Sequence, residues 1–157
     1  MNNLKIEKAT LKDIALIDNF MKKQAMDEKK FIRFNKKKVF SFYSVSDIKK
    51  VLTSSNCIML LAKVNDQVVG CGLARIEEAP KWSKYKKSGY LGMLYVDKKY
   101  RRQGIAKAIR EARIKWLKSK GIKLLECLVL ANNFPAIAFA QKTGFKSNST
   151  WMFKELK

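Results

Sequence analysis

The sequence predicts an α/β (α+β) protein, a mixed central sheet with helices on its faces. Three observations carry this expectation. Apolar residues make up 47% of the 157 residues and aromatic residues 11%, enough to bury one core and too many for a disordered chain. Stretches with period-two apolar patterning are interspersed with stretches of helical spacing, which is the pattern of a sheet covered by helices. Only two Pro and seven Gly occur, and no repeat or low-complexity linker breaks the chain, so residues 1–157 read as a single domain.

The elements follow in order. Leu4 to Ala9 reads as a short strand. Thr10-Leu11-Lys12-Asp13 is a helix start, a capping hydroxyl followed three residues later by a carboxylate. The helix behind it places Ile14, Ile17, Phe20 and Met21 on one face. Ser46-Asp47 is expected to cap a second helix carrying Ile48, Val51 and Leu52. Between these helices, Phe31, Phe34, Phe40, Phe42 and Tyr43 alternate with basic residues. Two readings stay open there: an aromatic-lined binding segment, or a helix packed on the sheet. Cys57 to Val64 and Gln67 to Ile76 form a hairpin around Asn65-Asp66. Glu77 to Ser88 reads as a polar loop, and Tyr90 to Val96 as the next strand. Ile105 to Ser119 has helical spacing, with Ile105, Ala108, Ile109, Ala112 and Trp116 on one side, and Gly121 marks its end. Leu124 to Leu130 is apolar throughout and is expected to lie at a buried sheet centre. Ala136 to Lys142 is a short helix stopped by Gly144, and Trp151 to Leu156 is expected to be a last strand. The predicted order is β-α-α-β-β-β-α-β-α-β.

Composition excludes several functions. The chain has no His, so a His-based triad, a His general base and most catalytic zinc sites are ruled out, and no metal is expected. No run of about 18 apolar residues is present, so no membrane span is expected. The first residues lack a signal-peptide core, which points to the cytoplasm. Cys57, Cys71 and Cys127 are widely spaced in apolar runs and read as reduced core residues. The formal net charge is +21, and lysine outnumbers arginine 28 to 6. A Lys-coated solvated surface, a nucleic-acid partner and a polyanionic ligand all fit that charge. Nucleic acid ranks below the others, because base readout favours the bidentate guanidinium.

The stretch from Tyr90 to Ala106 carries the chemistry. A strand runs into a basic loop, and Gly104 and Ala106 open a helix. Small residues there let main-chain N–H groups approach an anion, and the helix N-terminus adds partial positive charge. Arg101, Arg102 and Lys107 supply full charges.

Arg101-Arg102-Gln103-Gly104-Ile105-Ala106 resembles the (Arg/Gln)-x-x-Gly-x-(Gly/Ala) signature of the GNAT superfamily of acyl-CoA N-acyltransferases. Downstream, Asn133, Ala136-Ile137 and Gly144-Phe145 resemble the second signature of that family, Asn-x-x-Ala-Ile-x-x-(aromatic)-x-x-x-Gly-Phe. Two signatures in the right order are far more specific than either alone. The resemblance implies a mostly antiparallel central sheet, splayed at the cofactor site and flanked by helices. It implies direct transfer of the acetyl group of acetyl-CoA to an amine, a protein or small-molecule acceptor left unspecified, with both substrates bound together. The loop Arg102, Gln103, Gly104, Ile105, Ala106 and Lys107 would hold the CoA pyrophosphate, and Arg101 would shape that loop. Leu94, Tyr95 and Val96 would line the pantetheine arm, with Leu94 and Val96 offering main-chain groups. Asn133 would bond the pantetheine or cap the next helix. A monomer and a homodimer are equally compatible.

Two positions depart from the family pattern. Ala140 stands where the family often carries a Tyr as acid to the departing thiolate. A thiol of pKa ~8.5 is itself a good leaving group, and Tyr90, Tyr95 or Tyr85 is a candidate replacement acid where the fold brings it near the sulfur. Gly92-Met93 stands where many relatives carry an acidic residue. An amine of pKa ~10.4 must lose a proton before attack, and Glu77 or Glu78 is the candidate base, unless both are plain solvated carboxylates; Glu126 either lines the sheet as well or merely begins a strand. These departures keep a second expectation alive, a weakly catalytic acyl-CoA-binding module.

Overall fold

The computed structural model describes residues 3–32, 44–150 and 152–154. It contains β1 (Leu4–Lys8), α1 (Ile14–Glu28), α2 (Val45–Thr53), β2 (Cys57–Val64), β3 (Gln67–Glu78), β4 (Lys87–Val96), α3 (Ile105–Ser119), β5 (Leu125–Glu126) and α4 (Phe134–Lys142). The five strands form one open sheet in the order β1-β2-β3-β4-β5. The first three pairings are antiparallel, and β4–β5 is parallel. The expected mixed, mostly antiparallel sheet with helices on its faces is therefore present.

The period-two pattern sorts the strands into two cores. Met59, Leu61, Cys71, Leu73, Met93 and Tyr95 meet Ile17, Phe20 and Met21 of α1 and Ile48 and Val51 of α2. On the other face, Ile58, Leu60, Ala74 and Leu91 pack with Leu117 of α3, and Ala62, Val69 and Val96 with Ile105 and Ile109. The hairpin turn falls on Asn65 and Asp66, with φ of 49° and 62°, the left-handed pair that a tight two-residue connection requires. Helix α1 is entered through the expected Thr10/Asp13 capping box, by way of a short 3₁₀ turn at Leu11–Asp13. Cys71 is buried, while Cys57 and Cys127 are half-buried.

Several expectations are corrected. The cap of α2 is Ser44, whose hydroxyl accepts from the Asp47 N–H while the Asp47 carboxylate accepts from the Ser44 N–H. The reciprocal box needs a three-residue spacing, which Ser46-Asp47 lacks. Glu77 and Glu78 are not in a loop: β3 runs through them, opposite Ser88 and Lys87 of β4. The run from Leu124 to Leu130 is not a buried centre. Only Leu125 and Glu126 pair, at the sheet edge, and Leu128 is 76% exposed. The last strand is absent at residues 152–154, where Met152 and Phe153 are exposed; Trp151 and the rest of that segment lie outside the described residues. Phe34, Phe40, Phe42 and Tyr43 lie outside them as well.

Candidate active site

Two irregularities of β4 shape the site. The first is a bulge. Leu94 opposes Gly72 and Leu91 opposes Ala74, so Gly92 and Met93 together face the single residue Leu73. The extra residue bends the strand and interrupts its ladder. The second is a notch. Strand β5 pairs with β4 only at Gly89 and Tyr90, and from Leu91 onward β4 has no partner on that side among the described residues. The ladder phase shows which main-chain groups face the notch. Asp97 N–H donates to the Val69 carbonyl, so the alternation of an antiparallel pair turns the N–H and C=O of Leu94 and Val96 away from β3. Leu94 thus presents its N–H to the open side.

Along the chain, β4 runs on through a short turn to the start of α3. Gly104 sits at φ +80° as the N-cap, and no side chain among the described residues caps the helix. The first α3 bond of the main chain is Ala108 N–H to the Gly104 carbonyl, which leaves the preceding N–H groups without helical acceptors. A Cβ at Gly104 would meet nothing within 4 Å; the glycine is required by its backbone angle and leaves open space above the helix end. Arg102, itself at φ 64°, is exposed beside it together with Gln103 and Lys107. Main-chain donors, the helix dipole and these cations together favour an anion at this helix start.

Arg101 is positioned differently. Its Nε donates to the Val96 carbonyl at 2.8 Å and a terminal nitrogen donates to Asp27 Oδ2 at 2.6 Å. The guanidinium also lies 5.5 Å from the Tyr95 ring centroid. It staples the loop to β4 and to the end of α1. Burial would raise the Asp27 carboxyl, but hydrogen bonds from Arg101 and Lys98 outweigh it and hold the group below its ordinary value.

Tyr95 is buried against Phe20, with ring centroids 5.5 Å apart, and its hydroxyl donates to Asp97 at 3.4 Å. Burial first, then the Asp97 and Asp27 charges, push its pKa up, so the phenol keeps its proton. Glu77 is ion-paired with Arg75, whose guanidinium lies 4.5 Å from the Tyr90 ring centroid. Glu78 is exposed at the far end of β3. The structure therefore brings Leu94, Tyr95, Val96 and the 101–107 loop together, and leaves Glu77 and Glu78 toward the other end of the sheet. Asn133 caps α4, its Oδ1 accepting from the Ala136 N–H at 3.3 Å. Ala140 is buried.

Sequence reasoning passes over Arg110 and Arg113 here, and names Glu126 only as a residue that lines the sheet or begins a strand. Glu126 is the register partner of Tyr90, and its Oε1 is buried without a hydrogen-bond partner among the described residues. Arg110 is buried between Phe139 and Phe145, 4.0 and 5.4 Å from their ring centroids, and bonds to the Thr143 hydroxyl. Arg113 is 1% exposed and reaches the bulge, donating to the carbonyls of Leu73 at 2.8 Å, Met93 at 3.2 Å and Gly92 at 3.4 Å. Burial pushes its pKa down to about 10, which leaves it charged at neutral pH. The readable signal was the i, i+4 stripe Ile105, Ile109, Arg113, Leu117, in which a cation occupies a core position.

Residues 23–145 match the family model of the Acetyltransferase (GNAT) family, and the chain belongs to that family. No curated protein is similar enough in sequence to match it. Similar solved structures share the fold at low identity. Aminoglycoside N-acetyltransferase AAC(6')-Iy in complex with CoA has a TM-score of 0.78 at 15% identity, over 100% of this chain and 97% of that one. A predicted acetyltransferase with acetyl-CoA from Clostridium acetobutylicum has a TM-score of 0.75 at 20% identity, over 98% and 96%. An aminoglycoside acetyltransferase, meta-AAC0020, from an uncultured soil metagenomic sample, in complex with trehalose, has a TM-score of 0.69 at 22% identity, over 98% and 97%. No helix among the described residues is long and apolar enough to cross a membrane.

Proposed function

We propose that the chain transfers the acetyl group of acetyl-CoA to a primary amine on a small molecule, by direct attack with both substrates bound. The observation that carries this is the free edge of β4 beside Leu94, followed directly in the chain by the basic start of α3, which no described side chain caps. The diphosphate of CoA would lie on the N–H groups of residues 104–107 with Arg102 and Lys107 around it, and the pantetheine arm would follow the free edge of β4. The exposed apolar Leu128, on the segment leaving the notch, suits the apolar parts of that arm. The amine nitrogen bonds to the thioester carbon, the carbonyl pair moves onto oxygen, and its return expels the CoA thiolate, which takes up the proton the amine gives away. Candidates to relay that proton from the amine are Glu77, itself ion-paired with Arg75, and Glu126, whose Oε1 has no hydrogen-bond partner among the described residues; both share the Tyr90 face of the sheet. Tyr95 is the candidate donor to the thiolate, although its hydroxyl is engaged by Asp97.

Aminoglycosides are acceptors to include in any test, since two of the similar structures carry that name. The charge argues for an acceptor that is not itself a polycation. The net +21 repels one, and the carboxylates best placed to offset that are engaged: Asp27 by Arg101 and Lys98, Glu77 by Arg75 and Glu28 by the Gln24 amide. The test is thiol release from acetyl-CoA across a panel of monoamines, diamines and aminoglycosides, with calorimetric binding of acetyl-CoA beside it. Binding with release for at least one monoamine is expected; absence of binding would end this reading. Binding without release across the panel would instead support the weakly catalytic acyl-CoA-binding module that Ala140 suggests. In that case Ala140→Tyr is expected to raise release, at a stability cost of about 1–3 kcal/mol for overpacking a buried site.

A further inference from the structure

We propose that Arg113 is a positioning residue for acyl transfer: by holding the bulge carbonyls on the β3 side, it aims the Leu94 N–H at the thioester oxygen in the notch. This rests on the acetyl-transfer reading above and adds to it a residue on α3 that touches neither substrate.

The geometry has three parts. First, one guanidinium nitrogen serves the carbonyls of Leu73, Gly92 and Met93, the three residues at which the β3–β4 ladder loses its register. A bulge leaves carbonyls without ladder partners, and buried carbonyls left unpaired cost free energy. Second, no described peptide bond is cis. In a trans peptide the C=O and N–H point in opposite directions. Fixing the Met93 carbonyl toward Arg113 therefore fixes the Leu94 N–H away from it, toward the notch, in agreement with the ladder phase. Fixing the Gly92 carbonyl turns the Met93 N–H away from Arg113 in the same manner. Third, the fold makes room for this cation. A Cβ on Gly72 would stand 2.6 Å from Ile109 Cγ2 and 3.1 Å from Arg113 Nε, so β3 carries a glycine where the guanidinium passes. Among the described residues no acid pairs with the group, and its hydrogen-bond partners there are carbonyl oxygens. A buried guanidinium held only by carbonyls is an expensive way to fill a core position that Leu would fill. A role at the bulge accounts for it.

When the amine adds to the thioester, negative charge develops on the carbonyl oxygen, and a donor already aimed at that position stabilises it without reorganisation. With Arg113 lost, the bulge carbonyls are free to turn, and the Leu94 N–H turns with them.

The test uses the full chain with acetyl-CoA labelled with ¹³C at the thioester carbonyl, and the panel amine giving the fastest release. In the native chain the bound carbonyl resonance is expected to move from its free position, as hydrogen bonding polarises it. Arg113→Met is expected to return that resonance toward the free value and to lower kcat about 100-fold while acetyl-CoA affinity stays within about threefold. Arg113→Lys, which keeps a donor at the carbonyls, is expected to recover part of both. Gly72→Ala crowds the same guanidinium and is expected to shift the resonance in the same sense. If Arg113→Met melts at a lower temperature yet keeps the bound resonance and kcat, Arg113 is merely structural and the proposal is overturned. Should the Met variant not fold, an unchanged resonance in both Arg113→Lys and Gly72→Ala overturns it equally. A native chain that binds no acetyl-CoA defeats the acetyl-transfer reading and this proposal together; one that binds it with an unmoved carbonyl defeats this proposal alone.

Discussion

Replacing Arg101 with Ala separates a staple from a phosphate ligand. Arg101 stands at the first position of the glycine signature, yet its guanidinium is directed to the Val96 carbonyl and Asp27. The bond to Val96 is a partly buried bond from a charged donor, worth about 1.5–3 kcal/mol. The pair with Asp27 is more exposed, the two side chains retaining 42% and 26% of their surface, so it adds at most about 1 kcal/mol. A loss of about 2–3 kcal/mol follows, or about 4–12 °C in Tm for a domain of this size. Urea titration and thermal melting read it. The pH dependence supplies a second check. The Asp27 carboxyl is lowered in the folded chain, so the pair contributes fully above the unfolded carboxylate pKa of about 3.9 and fades as pH falls through the lower folded value. The gap between native and Arg101→Ala should therefore narrow toward acid without closing, because the Val96 bond does not titrate. Acetyl-CoA binding weakens as the loop loosens, but its salt dependence should match that of the native chain. Arg102→Ala and Lys107→Ala should both flatten it, since they remove charges facing the anion. A flattened salt dependence in Arg101→Ala, with stability intact, would show that Arg101 binds phosphate directly and that the staple account is wrong.

Gly104→Ala should cost only about 1–2 kcal/mol in stability, the price of a left-handed Ala with no steric contact, yet lower acetyl-CoA affinity at least tenfold by calorimetry, because its methyl enters the open space at this helix start. Asn133→Ala should lose about 1 kcal/mol through the lost cap of α4; acetyl-CoA affinity measured beside it tells whether the side chain also meets the pantetheine arm. The raised Tyr95 pKa adds stability that is present below the unfolded tyrosine value near 10 and lost as pH rises through the higher folded value. Tyr95→Phe should therefore flatten the alkaline limb of a Tm-against-pH curve, and an unchanged kcat would release Tyr95 from the acid role.

The elements that were legible in the sequence are those whose causes are local. The β2–β3 hairpin follows from two apolar strands around Asn65-Asp66, and α3 from its apolar spacing between Gly104 and Gly121. The Thr10/Asp13 box needs only four residues. What failed depended on partners far along the chain. The run from Leu124 to Leu130 has the composition of a central strand, but it pairs with β4 only at Gly89 and Tyr90, ahead of the β4 bulge, and most of it has no strand partner among the described residues. Glu77 and Glu78 read as loop residues because their polarity hides the ladder they make with Lys87 and Ser88. Arg113 could not be assigned a role until β3 and β4 were laid side by side, since its three partners lie 20 to 40 residues away.

The sequence by itself determined the family, the two-faced sheet and the glycine-led basic start of α3, because a glycine at a helix start, basic neighbours and alternating apolar residues act through nearest-neighbour geometry. Only the tertiary structure decided which way the donors of β4 point. That direction depends on a mismatch of one residue between two strands and on a cation from a third element that holds it, and neither is written in any local stretch of the chain.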